Sequence, residues 1–392
     1  MSTLPAALSR VRPAVEHRLE EVLSGCRRRW EDLGQAAPEL LDAAGSILGG
    51  GKRMRAVLGA VGCALLTTPE RRAERLTSSD AVGLGTALEL YQASALIHDD
   101  LMDGADTRRG LPAAHRFFAR DHDARGWLGP SQTFGTNGAI LLGDLLLSLA
   151  GEEMSALART HTSCEPADKA LWRARAAFDA MTTEVALGQF LDVRSENLPL
   201  PWGQEPAVAA RHMHDDALSV VRHKSARYSV RHPLLIGALL AGLDPSSPTA
   251  EHLAAFGEEI GIAFQLRDDE LGVFGDPALT GKPVGDDLRE GKRTVLVALA
   301  WRRADGEGRA LLRSVLARPR AGDADTARAE ADIARAAGLI EACGARAEHE
   351  EQIAGHLRAA VAALDPIGPA EISDESRSDL LELARLLCER RA

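Results

Sequence analysis

Two short acidic runs carry the clearest chemistry in this 392-residue chain. Asp99-Asp100-Leu101-Met102-Asp103 closes an apolar stretch that begins near Asp80, and Phe264-Gln265-Leu266-Arg267-Asp268-Asp269 closes another. Asp99 and Asp103 stand four residues apart, so a helix stacks them on one face. Carboxylates held in that way repel unless a cation lies between them. Hard divalent cations take carboxylate oxygens, and magnesium typically combines one or two carboxylates with phosphate oxygens. A solvated acidic helix end is the plainer reading of either run alone. Two apolar helices that end alike can instead face one another across a cavity, hold a magnesium cluster and leave a diphosphate to bridge them.

Cationic segments surround these runs. Arg108-Arg109-Gly110 follows the first, Gly281-Lys282-Pro283 and a segment from Asp286 to Lys292 follow the second, and Gly49-Gly50-Gly51-Lys52-Arg53-Met54-Arg55 precedes both. Glycine lets backbone approach phosphate oxygens, and Lys and Arg neutralise them. The GGGKRMR run lacks P-loop spacing and follows no strand, so by itself it reads equally well as a basic surface turn.

Helices are the elements that must position these groups. Apolar residues recur at three- and four-residue spacing over 80–102, 139–157, 170–193, 217–243, 250–274 and 293–303. Turn-rich breaks fall at 121–135, 194–206, 318–325 and 365–376. No alternating run of useful strand length appears. Hydrophobic residues make up 45% of the chain and aromatics 4%, enough apolar material for one large helical core. The expectation is an all-α fold with a single domain over 1–392, its first ~30 residues loosely held.

The net charge of −11 argues against a nucleic-acid partner, which calls for a basic face. Five widely spaced cysteines without a CxxC pair read as reduced thiols. The start lacks the apolar run of a signal peptide, and the apolar stretch 233–243 is too short to span a bilayer, which places the chain in the cytoplasm.

Taken in order, GGKRMR, DDLMDGADTRRG, GDLLL (143–147), GQFLD (188–192), KSARY (224–228), FQLRDD (264–269) and GKPVGDDLREGKRT (281–294) resemble the polyprenyl synthetase family, the trans-isoprenyl diphosphate synthases. The resemblance implies an all-α helical bundle of the isoprenoid synthase type around a central cavity. It implies head-to-tail condensation of isopentenyl diphosphate with allylic diphosphates, on magnesium (three ions with substrate bound), by a homodimer. Asp99, Asp103 and Asp268 would hold the metal. Arg108 and Lys224 would grip the allylic diphosphate, with Lys282 and Lys292 closing over it. Lys52, Arg55, Arg109 and Gln92 would bind isopentenyl diphosphate. Ser225 and Gln265 occupy positions that stabilise the developing carbocation.

Three residues depart from the family pattern. Gly272 stands where many members carry a fifth-position Asp, Ala56 replaces a usual Pro, and Ser225 replaces a more common Thr while keeping the hydroxyl. Beneath the first motif, Ala95 and Ser94 are small, and Tyr91 is the first bulky residue, roughly 12 Å back along the helix. Twenty-carbon geranylgeranyl diphosphate is therefore the expected main product, with farnesyl or geranylfarnesyl diphosphate as alternatives. A class I terpene cyclase would need no second diphosphate site, and a non-catalytic regulatory subunit tends to lose an aspartate motif; the GGGKRMR run and the two Asp pairs argue against these rivals.

Weaker signals read as support. His98 suits a structural role better than a base. Glu184 and Asp192 suit packing or positioning. His212-Met213-His214-Asp215-Asp216 looks like a helix start, because histidines two apart point to different faces.

Overall fold

The computed structural model describes residues 4–160, 165–201, 203–276, 284–317 and 326–388. Among them the chain is helical nearly throughout, and the all-α expectation holds. The only strands among the described residues are β1 (Thr107–Arg108) and β2 (Leu111–Pro112), an antiparallel ribbon pairing Thr107 with Pro112 and Arg108 with Leu111. Two-residue strands leave no alternation for a sequence pattern to register. Arg109 and Gly110 form the connecting turn with φ of 53° and 76°. Positive φ at both central residues is what a tight two-residue hairpin demands.

The chain groups into two compact units, one of residues 1–182, 232–254 and 365–383, the other of 183–231, 255–364 and 384–392. In the first, α1 (Leu4–Arg29), α2 (Ala36–Leu48), α3 (Met54–Ala64), α4 (Pro69–Arg75), α5 (Ser79–Asp103), α6 (Ala114–Arg125) and α7 (Ser131–Thr160) lead to the start of α8 (Glu165–Asn197). Residues expected to be loosely held form α1, which buries Leu4, Val11, Val15 and Leu19 against α3 and α5. Helix α5 packs mainly on α7 and α3, and most of its residues from Asp80 to Ser94 are buried. Ser78 caps its start by accepting from Ala81 N, and Gly104, at φ 67°, ends it. The acidic run is thus the last turn of a buried helix. Arg72 of α4 is fully buried and donates to Asp379 at 2.6 Å and to Ser376 Oγ at 2.6 Å, a paired charge inside the unit.

In the second unit, α9 (Pro206–Val220) runs into a π-helical segment, Val221–Arg231. Helix α10 (His232–Leu240) follows in the first unit. The sequence pattern predicts one α-helix over 217–243; the chain instead changes winding twice within it. Helix α11 (Pro248–Phe274) carries the second acidic run. Beyond it lie α12 (Asp286–Arg289), α13 (Val295–Arg303), α14 (Gly306–Leu316), α15 (Thr326–Ala342), α16 (Ala345–Leu364) and α17 (Asp374–Cys388). The 212–216 cluster sits in the middle of α9, not at its start, because Glu205 and Pro206 begin that helix and Glu205 accepts from Ala207 N and Val208 N.

Candidate active site

The first acidic run divides its carboxylates by environment. Asp100 is buried, and the Arg108 guanidinium grips it, with Nε 2.7 Å from both carboxylate oxygens. Arg108 Nη2 also lies 3.9 Å from Asp99. Asp99 and Asp103 remain partly exposed on one face, one turn apart. Among the described residues, no three His, Cys, Asp or Glu side chains gather as a ready-made metal cage. Magnesium takes one or two carboxylates and completes its shell with phosphate oxygens and water. Asp99 and Asp103, stacked and accessible, fit that requirement from the first unit.

Beside them the turn Arg109-Gly110 brings a guanidinium against Gly51, where an added Cβ would lie 3.4 Å from Arg109 Nη1. Arg109 loses basicity through burial and the neighbouring charges of Arg108 and Arg53. This is a surplus of positive charge suited to an anion. Lys52 is exposed, and Arg55 and Gln92 are half-buried. His98 has a structural setting, as expected: its ring is 3.4 Å from Ile140 O and fills the space beside Gly143, where a Cβ would lie 2.1 Å from Nε2. The glycine of GDLLL leaves room for that ring.

Tyr91 is buried, with its hydroxyl donating to Thr182 O at 3.3 Å and its ring edge-on to Phe178, centroids 6.2 Å apart. Ser94 is buried as well, while Ala95 is partly exposed one turn below Asp99.

In the second unit Lys224 and Ser225 lie on the π-helical segment, both half-buried. Such windings are uncommon and concentrate at functional positions. Small residues on both sides admit it. A Cβ on Gly188 of α8 would lie 2.5 Å from Lys224 N, and one on Gly261 of α11 would lie 2.3 Å from Ala226 O. The Lys224 ammonium meets Asp192 Oδ2 at 2.5 Å. Glu184 accepts from Arg227 at 2.7 Å and pairs with His223 at 2.7 Å. Both acidic residues therefore position the cationic segment.

Asp268 is partly exposed, whereas Asp269 is buried and accepts from Gln265 Nε2 at 2.8 Å. Burial and the adjacent Asp287 carboxylate hold the Asp269 carboxyl well above the usual carboxylate range. A Cβ on Gly272 would fall 2.1 Å from Asp287 Oδ2. The space that a fifth-position side chain would occupy is thus filled by Asp287. Lys292 lies 2.6 Å from Glu290 and 3.9 Å from Asp287. Lys282 lies outside the described residues. Gly188, Asp192, Glu184 and Asp287 are the positions whose roles the motifs alone did not specify.

The polyprenyl synthetase family profile matches residues 37–333, three-quarters of the chain and every motif named above. The chain belongs to the polyprenyl synthetase family. It is 32% identical over 319 residues to a geranylfarnesyl diphosphate synthase of Aeropyrum pernix, spanning 81% of this chain and 86% of that one. It is 32% identical over 312 residues to a geranylgeranyl diphosphate synthase of Mycobacterium tuberculosis, spanning 79% and 74%. Its fold matches the crystal structure of geranylgeranyl pyrophosphate synthase from Corynebacterium glutamicum, complexed with isoprenyl diphosphate and magnesium, with a TM-score of 0.81, 36% identity and coverage of 100% and 99%. This polyprenyl synthetase is a trans-prenyltransferase of isoprenyl diphosphates. Among the described residues no helix is long and apolar enough to cross a membrane.

Proposed function

We propose that this polyprenyl synthetase adds isopentenyl diphosphate to allylic primers and releases geranylgeranyl diphosphate as its main product. The observation that carries the chain-length reading is Tyr91: buried, fixed by Thr182 O and backed by Phe178, it is the first bulky residue beneath Ala95 and Asp99. A farnesyl or geranylfarnesyl product would require the floor to lie nearer or farther.

Asp99, Asp103 and Asp268 would hold magnesium, three ions with substrate bound, and the metal held there would supply positive charge against the departing diphosphate. Arg108, Lys224, Lys282 and Lys292 neutralise the same leaving group, where electrostatic stabilisation is worth most. Lys52, Arg55, Gln92 and Arg109 hold isopentenyl diphosphate. The C–O bond of the allylic substrate breaks, the alkene of isopentenyl diphosphate attacks the allylic cation, and the released diphosphate accepts the proton. Gln265 Nε2 donates to Asp269, and in this proposal the Gln265 carbonyl dipole serves the cation. Ser225 contributes its hydroxyl in the same role.

In this proposal residues 1–392 are a single catalytic domain, working in the cytoplasm as a homodimer. Exposed Ile140, Leu141 and Leu147 on α7 support the dimer, since soluble monomers rarely leave such apolar stripes uncovered. Incubation with magnesium, isopentenyl diphosphate and each allylic primer in turn, followed by chromatography of the dephosphorylated alcohols, tests this function. A twenty-carbon alcohol is expected. A hydrocarbon formed without isopentenyl diphosphate would instead indicate a cyclase.

A further inference from the structure

Helix α11 ends with two faces that have different neighbours. At about 100° per residue, Gln265, Asp268, Asp269 and Gly272 fall on one side of its last turns, and Arg267, Glu270 and Phe274 fall on the other. The first side carries the acidic run assigned to the diphosphate. The second meets α16, which belongs to the same unit. Arg346 and Glu350 stand four residues apart on α16, so they share one face of that helix.

Charges alternate along this contact. Arg346 Nε donates to Glu270 at 2.7 Å, Arg267 Nη1 donates to Glu270, and Arg267 Nη2 donates to Glu350 at 2.8 Å. The Arg346 guanidinium also lies over the Phe274 ring, 4.4 Å from its centre. Glu270 is 3% exposed, so these two guanidinium groups stand in for the water its charge has lost. Helix α16 is itself held in place. Arg303 of α13 donates to Glu348 at 2.8 Å, and α13 packs along α16. Arg346 and Glu350 lie beyond residue 333, where the family match ends, so the motifs give no sign of them.

We propose that Arg346 is a positioning residue for the second acidic run, acting through Glu270 to fix the rotation of the turn that carries Asp268. The inference rests on the proposed function, because it takes Asp268 to hold magnesium. Magnesium demands near-ideal octahedral geometry, so a small rotation of the helix end is felt at the metal. Without the tie to Arg346, Arg267 alone anchors that turn to α16, and Asp268, next to it in the chain, loses its fixed direction.

Calorimetric titration of the full chain with inorganic pyrophosphate, at fixed magnesium and well below the melting temperature of each form, tests it. Arg346→Met removes the charge and keeps a flexible apolar stem over Phe274. It should weaken pyrophosphate binding roughly tenfold to a hundredfold, the usual cost of losing a group that orients a metal ligand. Arg346→Lys keeps a cation within reach of Glu270 and should recover most of the affinity. Glu270→Gln combined with Arg346→Met leaves no stranded carboxylate, so this pair keeps the test open if Arg346→Met alone does not fold. It should bind no more weakly than Arg346→Met, because the two residues act as one tie. A merely structural role would lower the melting temperature and leave the pyrophosphate affinity in place. Wild-type affinity in the double variant, or in a folded Arg346→Met, overturns the inference. Asp268→Asn serves as the reference. Unchanged affinity there removes the metal assignment of the proposed function and the inference with it, whereas a loss confined to Asp268→Asn removes the inference alone.

Discussion

The Lys224 ammonium lies 2.5 Å from the Asp192 carboxylate, on a π-helical turn that presses against Gly188. Lys224 is a single cation on a flexible stem, and the pair fixes where that cation points. Asp192→Asn removes the partner charge and keeps the shape. It should lower kcat roughly tenfold to a hundredfold, since small misplacements of a positioned group carry losses of that order. Asp192→Glu should recover part of the loss. Steady-state kinetics with the allylic primer varied will show whether kcat falls; equal kcat in all forms would mean that Asp192 is packing alone.

Gly188→Ala attacks the same place through the backbone. The new methyl would lie 2.5 Å from both the His223 carbonyl carbon and Lys224 N, and backbone atoms cannot swing aside as a side chain does. A destabilisation of about 1–3 kcal/mol is expected, as for other overpacked sites, together with a lower kcat. Thermal unfolding and turnover measured on one preparation check both. A variant as stable and as fast as the wild type would show that α8 and the π-helical segment separate easily.

Product length should respond to the aromatic pair. Tyr91→Ala and Phe178→Ala each open space beneath Ala95 and should shift the alcohols beyond twenty carbons. Tyr91→Phe keeps the ring, loses only the bond to Thr182 O, and should change little. The alanine variants also leave cavities, with stability losses of about 3–5 kcal/mol, so product analysis belongs well below their melting temperatures. An unchanged product spectrum in both alanine variants would place the floor elsewhere.

Acid should weaken the second unit through His349 of α16. Its ring is fully buried, neither nitrogen has a hydrogen-bond partner among the described residues, and burial pulls its pKa down to about 4. The unfolded chain binds this proton near pH ~6.5 and the folded chain only near pH 4. Stability from this group is therefore complete above about pH 6.5 and is lost as the pH falls towards 4, by about 3 kcal/mol in all. Denaturant unfolding from pH 7 to 4 should show a shallower decline in His349→Leu than in the wild type. Parallel declines would remove His349 as the cause.

The placement of the candidate carboxylates was legible because its signal is local. The four-residue interval of Asp99 and Asp103 fixes a shared helical face whatever the tertiary structure, and α5 ends where the acidic run ends. The division of labour between Asp99 and Asp100 was not legible, because it depends on Arg108 folding back along the ribbon onto Asp100. The π winding was hidden as well. Its residues continue the apolar spacing of α9, and the cause lies with Gly188 and Gly261, distant in sequence. Asp287 filling the space at Gly272 is another long-range effect, which turns a departure in one motif into a use for the next.

In the proposed reaction, carboxylates from two helix ends act through magnesium on one diphosphate. Asp99→Asn and Asp268→Asn, assayed separately with magnesium, isopentenyl diphosphate and geranyl diphosphate, test it most directly. Each neutralisation should cut the rate of chain extension about a thousandfold while the fold is retained. Near wild-type extension by either variant, or full extension by the wild type after chelation of all divalent metal, would contradict the account.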